Sequence, residues 1–251
     1  MNGNTRLENL LAQNNWAAAD EAQRQGAAAL PLLRSLLGRE PYLLRQIAMT
    51  CVGRIGDPAG SDILAAGLTD TNINVRIAAA NELSQKPYPG ALERVLGLLQ
   101  QNPDDAVRET LALAAGHLPS PQTIEVLRGL VSGTDELAGN ARMALAKLGD
   151  PAARAAMIAD LAAPLPRTRY DTVGQLRYVG DVSLAPHARK ILADRAIALA
   201  IGAMVTPRYR RVCDQVLDTL VYLLSLKVPF AVDVEQIYTD EQLSQVERLT
   251  R

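Results

Sequence analysis

The sequence predicts an all-α protein, a right-handed solenoid of about six helix pairs closed by a non-repeat helical cap at its C-terminal end. Three observations predict it. A Gly/Pro turn recurs at a nearly constant interval. Apolar columns flank each copy at helical spacing. The composition is that of closely packed helices, with 48% hydrophobic but only 4% aromatic residues. The apolar mass is therefore mostly Ala, Leu, Val and Ile; Ala and Leu favour helix, and Ala lets helices approach closely.

The turn is clearest as Gly56-Asp57-Pro58 and Gly149-Asp150-Pro151, with Gly180-Asp181-Val182 one unit later and Pro87-Tyr88-Pro89 and Pro119-Ser120-Pro121 between. The third positions, 58, 89, 121, 151 and 182, are spaced by 31, 32, 30 and 31 residues. Self-similarity at such a period is the mark of a repeat architecture. Gly suits the left-handed residue that ends one helix, and Pro the first position of the next. Asp at the turn is suited to cap the helix that follows.

Ahead of the turn, the columns Leu44, Val75, Val107, Leu137, Thr168; Ala48, Ala79, Leu111, Ala141, Thr172; Val52, Leu83, Ala115, Leu145, Leu176; and Ile55, Lys86, Leu118, Leu148, Val179 step by four, four and three residues. That is one face of an amphipathic helix. After it come Leu64, Val95, Leu127, Met157, Ala188 and then Leu68, Leu99, Val131, Leu161, Leu192. Each unit is helix, turn, helix. A fainter unit precedes them, with Ala27 in the turn phase and Leu33 and Leu37 in the core phase. One such pair cannot bury its stripe alone, and stacked pairs can.

This pattern resembles the HEAT-repeat superfamily. It is most similar to the short HEAT-like repeats of the phycobilisome lyase family, through Leu44-Arg45 to Ile55-Gly56-Asp57-Pro58 and Ala141 to Leu148-Gly149-Asp150-Pro151. The likeness runs from about Leu43 to Leu192. Ala138 in the arginine column and Lys86 in an apolar column depart from it. The resemblance implies a fold more than an activity, because such repeats serve scaffolds, lyase subunits and DNA glycosylases.

The division expected is a repeat solenoid over residues 1–204, with the clear repeats at about 43–192, and a helical cap over 205–251. Leu7, Leu10 and Leu11 mark a first short helix, which Asn14-Asn15 interrupts, and Trp16 is expected to pack in this N-terminal cap. Two prolines in the stretch Ala163 to Tyr170 suggest an irregular connection. Thr206-Pro207 is placed to start a long helix running to about Leu226, and a last helix is expected from Thr239, with Asp240 and Glu241 in its first turn.

No motif specifies a reaction, and no catalytic residue, metal ligand or cofactor is predicted. His117 and His187 each lack a neighbouring Cys or second His. Cys51 and Cys213, flanked by apolar residues, read as buried free thiols. No apolar segment has the length and freedom from charge of a leader or a membrane span. The chain reads as a cytoplasmic protein-binding adaptor.

The arginine column, Arg45, Arg76, Arg108 and Arg169, reads as structural. Helix starts do not favour basic groups, so these side chains are expected on carboxylates of the adjoining repeat, such as Asp70 or Asp104. The second helices are the candidate partner-binding surface, a concave groove. Asp62, Glu93 and Glu125 hold equivalent positions there, with Arg128 and Arg189 nearby, and would accept a basic peptide or helix. Residues 162–213 carry nine basic and three acidic side chains in a chain of net charge −1. Arg167, Arg208, Arg210 and Arg211 are its candidate anion-binding set. Two other functions stay open: a lyase-type or chaperone subunit acting on a tetrapyrrole-carrying protein, as the resemblance implies, and nucleic-acid binding, which the near-neutral charge argues against. The partner expected is another protein or peptide; neither its identity nor the oligomeric state follows from the sequence.

Overall fold

A computed structural model describes residues 3–85, 92–102, 104–202 and 207–250. It divides into two compact units, Met1–Leu148 and Gly149–Arg251.

The first unit begins with α1 (Gly3–Ala12), α2 (Ala18–Gln25) and α3 (Leu30–Arg34). Helix pairs follow: α4 (Tyr42–Ile55) with α5 (Ser61–Gly67), α6 (Ile73–Gln85) with α7 (Leu92–Gln101), and α8 (Asp105–Ala115) with α9 (Pro121–Arg128). Helix α10 (Glu136–Lys147) closes the unit. One layer is formed by α2, α4, α6, α8 and α10, each packed on the next. In a second layer α5 lies against α4 and α6, α7 against α8 and α9, and α9 against α10. The expected columns fill the space between the layers: Ala48, Ala79, Leu111, Ala141, Val52, Leu83, Ala115 and Leu145 are buried, as are Leu64, Val95 and Leu127 after the turn. Gly67 shows how tight the packing is. A Cβ there would meet Met49 Sδ at 2.4 Å and Ala79 Cβ at 2.9 Å, so the α4–α5–α6 contact requires glycine.

The turn chemistry follows the sequence expectation. Gly56 ends α4 in the left-handed conformation (φ 67°), and Gly180 does the same further on (φ 72°). The Asp57 carboxylate accepts from the Ala59 backbone N–H, Asp150 from Ala153, and Asp181 from Ser183. Pro121 and Pro151 stand at the first helical positions. The turn at Pro87-Tyr88-Pro89 and the apolar-column residue Lys86 lie outside the described residues.

The second unit contains α11 (Pro151–Asp160), α12 (Pro166–Val179), α13 (Ala185–Arg189), an antiparallel pair of strands β1 (Ile197–Ile201) and β2 (Arg208–Arg211), α14 (Val212–Leu223) and α15 (Asp240–Leu249). Helix α14 is its centre, buried at every residue from Val212 to Leu220 and packed by α12, α13, α15 and β2. The final helix begins as expected, with the Thr239 hydroxyl accepting from Gln242 N–H and the Gln242 side chain accepting from Thr239 N–H.

Three local expectations are corrected. Only 163–165 form the irregular connection, because Pro166 opens α12 at its first position, where its missing N–H costs nothing. Trp16 is 48% exposed. Asn14 turns the chain at φ 51°, and Leu7, Leu11, Ala18 and Ala22 already fill that core. The long helix does not start at Pro207; Thr206 lies outside the described residues, and 208–211 form a strand. Helix α14 starts at Val212 because Asp214 reaches back to the Arg211 N–H at 2.8 Å.

Candidate functional site

The arginine column forms a structural seam. Arg45 is 3% exposed and grips Asp70 with two nitrogens, Nε at 2.8 Å and Nη2 at 3.0 Å, while Nη1 donates to the Arg39 carbonyl. Arg76 pairs with Asp104 and donates to the Asp70 carbonyl. In the second unit Arg169 pairs with Asp194 at 2.7 Å and donates to the Ala163 carbonyl. Arg108 differs: it donates to the Leu99 carbonyl and meets Asp105 in its own helix. Burial opposes ionisation of Asp70, but Arg45, the Asn72 N–H and Arg76 outweigh it and hold its pKa below the ordinary value.

The acidic positions lie on the shorter helices of the first unit. Asp62 is exposed on α5, Glu93 on the first turn of α7, and Glu125 on α9. Asp62 takes a two-pronged contact from Arg34, which lowers its pKa first by hydrogen bonding. Arg128 ends α9, exposed and close in sequence to Glu125. Arg189 ends α13 in the other unit, half-buried, and donates to the Thr250 carbonyl at 3.0 Å.

The four arginines of the anion-binding set have different fates. Arg167 is exposed and pairs with Asp171 at 2.6 Å. Arg208 is exposed, 3.6 Å from Glu235. Arg210 is fully buried; it donates to the Val234 carbonyl and to Asp218, and lies over the Tyr170 ring at 5.7 Å. Arg211 bonds Asp214 and the Tyr238 carbonyl. The Tyr238 hydroxyl donates to Asp218 at 2.5 Å. Burial raises the pKa of Asp218 despite Tyr238 and Arg210. These contacts tie β2, α14 and the segment before α15 into one buried cluster.

A different basic constellation is open to solvent. A cavity of about 520 Å³ in the second unit is lined by Pro186, Arg189, Lys190, Leu192, Ala193, Arg195, Leu243, Ser244 and Glu247. Its walls are the end of α13, the turn after it, and α15. Lys190 and Arg195 stand out in the sequence only as members of the basic block; the opposite wall comes from α15, some 50 residues on, and no local pattern joins the two. Among the described residues no group of three His, Cys, Asp or Glu is arranged to hold a metal ion, and no helix is long and apolar enough to cross a membrane. Cys51 and Cys213 are free and buried, and burial first, then Glu82, pushes the Cys51 thiol up to about 12.

Layered helix pairs with a charged seam define a helical-repeat protein. The repeat is of the HEAT type: residues 61–146 match the family of HEAT repeats. A search of curated proteins finds no match. Among solved structures, the complex of CpcE and CpcF of phycocyanin lyase from Nostoc sp. PCC7120 is similar with a TM-score of 0.61 at 17% identity, over 100% of this chain and 94% of that one. The archaeal HEAT-like repeats protein from Thermococcus onnurineus NA1 is similar at 17% identity over 98% of this chain and 96% of that one, with a TM-score of 0.40. Escherichia coli YibA gives 16% identity and a TM-score of 0.46 over 75% of this chain and 76% of that one. Residues 61–146 thus carry HEAT repeats, and the described residues as a whole are mostly helical with one small two-stranded antiparallel sheet.

Proposed function

We propose that this solenoid is a non-catalytic scaffold that binds a protein partner along the second helices of its repeats. The observation that carries the reading is the exposed acidic residue at one repeat position on α5, α7 and α9: Asp62, Glu93 and Glu125. A partner segment with basic residues at matching intervals would complement them, with Arg128 at the end of α9 contacting an acidic flank. Residues 1–204 act as the repeat platform and 205–251 as its cap, a division by repeat register rather than by compact unit. The test is affinity purification of the native partner, then its affinity for a triple variant, Asp62→Asn, Glu93→Lys and Glu125→Lys. Binding at least tenfold weaker with unchanged thermal unfolding is expected. Unchanged affinity rules the surface out.

A second reading is a subunit of a two-subunit lyase that handles a tetrapyrrole-carrying protein. It is supported by the full-length likeness of fold to a chain of the CpcE–CpcF complex. A bilin titration followed by absorbance separates the two, because a scaffold produces no spectral shift.

A further inference from the structure

The geometry points to a ligand site in the cavity between α13 and α15, for a small amphipathic anion that carries a carboxylate on an apolar body. The site is independent of the acidic row and lies in the other unit.

The charge at the cavity is one-sided. Arg189, Lys190 and Arg195 line it, against Glu247 as the single carboxylate. The two arginines are anchored within the fold. Arg189 donates to the Thr250 carbonyl at 3.0 Å, and Arg195 donates to the Leu192 carbonyl at 3.2 Å and pairs with Asp240 at 2.7 Å. A guanidinium held this way keeps N–H groups for a second acceptor, because it has five. Lys190 is exposed and has no hydrogen-bond or ion-pair partner among the described residues. One anchored pair of forks and one uncommitted ammonium form an anion-binding wall whose geometry exists before the ligand arrives.

The remaining lining is apolar: Pro186, Leu192, Ala193 and Leu243, with the Ser244 hydroxyl beside them. A smaller apolar cavity of about 170 Å³ shares Pro186 and Arg189 and continues past Leu220 and Leu224. Arg189 therefore borders both cavities. The main volume falls within the range of roughly 300–1,000 Å³ typical of small-molecule sites. Such a lining suits an anionic head on Lys190 and the arginines and a hydrocarbon body on Leu192 and Leu243. A bare inorganic anion would leave the apolar wall unused.

The experiment is calorimetric titration of the full chain with octanoate, octylammonium and inorganic phosphate. Octanoate is expected to bind one to one, at least tenfold tighter than either of the others. Lys190→Glu is expected to weaken octanoate at least tenfold, and Ser244→Trp, which fills the cavity from an exposed position on α15, to abolish it. Both variants should unfold at the wild-type temperature. Octylammonium binding as well as octanoate would reduce the site to a greasy cleft, and phosphate binding as well would make the apolar lining irrelevant. Either result overturns the proposal, as does failure of octanoate to bind or unchanged octanoate affinity in both variants.

Discussion

In the unit Met1–Leu148 the charged groups lie along the seams between repeats, Arg45 on Asp70 and Arg76 on Asp104, while the core between the layers is aliphatic. In the unit Gly149–Arg251 one more rung of that kind appears, Arg169 on Asp194, and then the pattern changes. Arg210, Asp214 and Asp218 go inside, each at most 3% exposed, around Tyr238 at 2%, and Thr219 is buried on the Val173 carbonyl. The first arrangement is one device used repeatedly, with one partner of each pair near water. The second is made once and closed to water. A seam pair whose carboxylate keeps some contact with water costs less to break than a fully buried pair, which tolerates no loss of a single member because the survivor is left charged in a dry site.

That contrast can be broken most forcefully at Arg210. Arg210→Met should destabilise the protein by about 3–5 kcal/mol in urea denaturation, since Asp218 loses its partner while still buried. Replacing both, Arg210→Met with Asp218→Leu, should recover much of the loss. If the single variant costs no more than a seam substitution, the two regions do not differ as described. Next comes Arg45→Met, where the Asp70 partner keeps some contact with water; a loss on the order of 2 kcal/mol is expected, between exposed and fully buried pairs.

A smaller effect concerns protons in the first unit. Burial first, and then the charge of Lys147, pushes His117 down to about 4. Unfolded, it titrates near 6.5. The folded protein therefore refuses a proton that the unfolded chain accepts. Stability is complete above 6.5 and is lost as pH falls from there towards 4. Denaturation midpoints at pH 7.5 and 5.0 should differ, and His117→Gln should shrink the difference. Smallest of all is Arg34→Ala. The Arg34–Asp62 pair is about half exposed on both sides, so the unfolding temperature should stay within error of the wild type.

The repeat was legible because it is periodic. Five turns at one interval and apolar columns in step with them specify helix pairs, and most of the described column residues are buried, with Leu44, Ile55, Val131 and Leu148 half-buried. The charged seam was legible at Arg45, Arg76 and Arg169 for the same reason, since a basic residue at the start of successive helices needs an acceptor; Arg108, which meets Asp105 in its own helix, departs from it. Trp16 and the strand at 208–211 were not legible. Trp16 occurs once, and its exposure depends on the turn at Asn14 and on what already fills the space. The Arg-Tyr-Arg-Arg run has no alternation of apolar residues to mark it as a strand, although its antiparallel partner Ile197–Ile201 lies close by in the chain.

What the sequence by itself determined is the class of protein, the helix pairs, their capping and the residues between their layers, because these depend on neighbours three, four or about 31 positions away. What only the tertiary structure decided is the use of the charges near the C-terminal end. Arg208, Arg210 and Arg211 are alike as letters, yet Arg210 is sealed onto Asp218 and Val234 while Arg208 faces water. Lys190 and Arg195 look like two more members of a solvated block until α15 folds across from them and forms the other wall of an open cavity. Burial and enclosure are set by elements remote in the chain, and a charge has no chemical consequence until its surroundings fix whether water, a carboxylate or a ligand meets it.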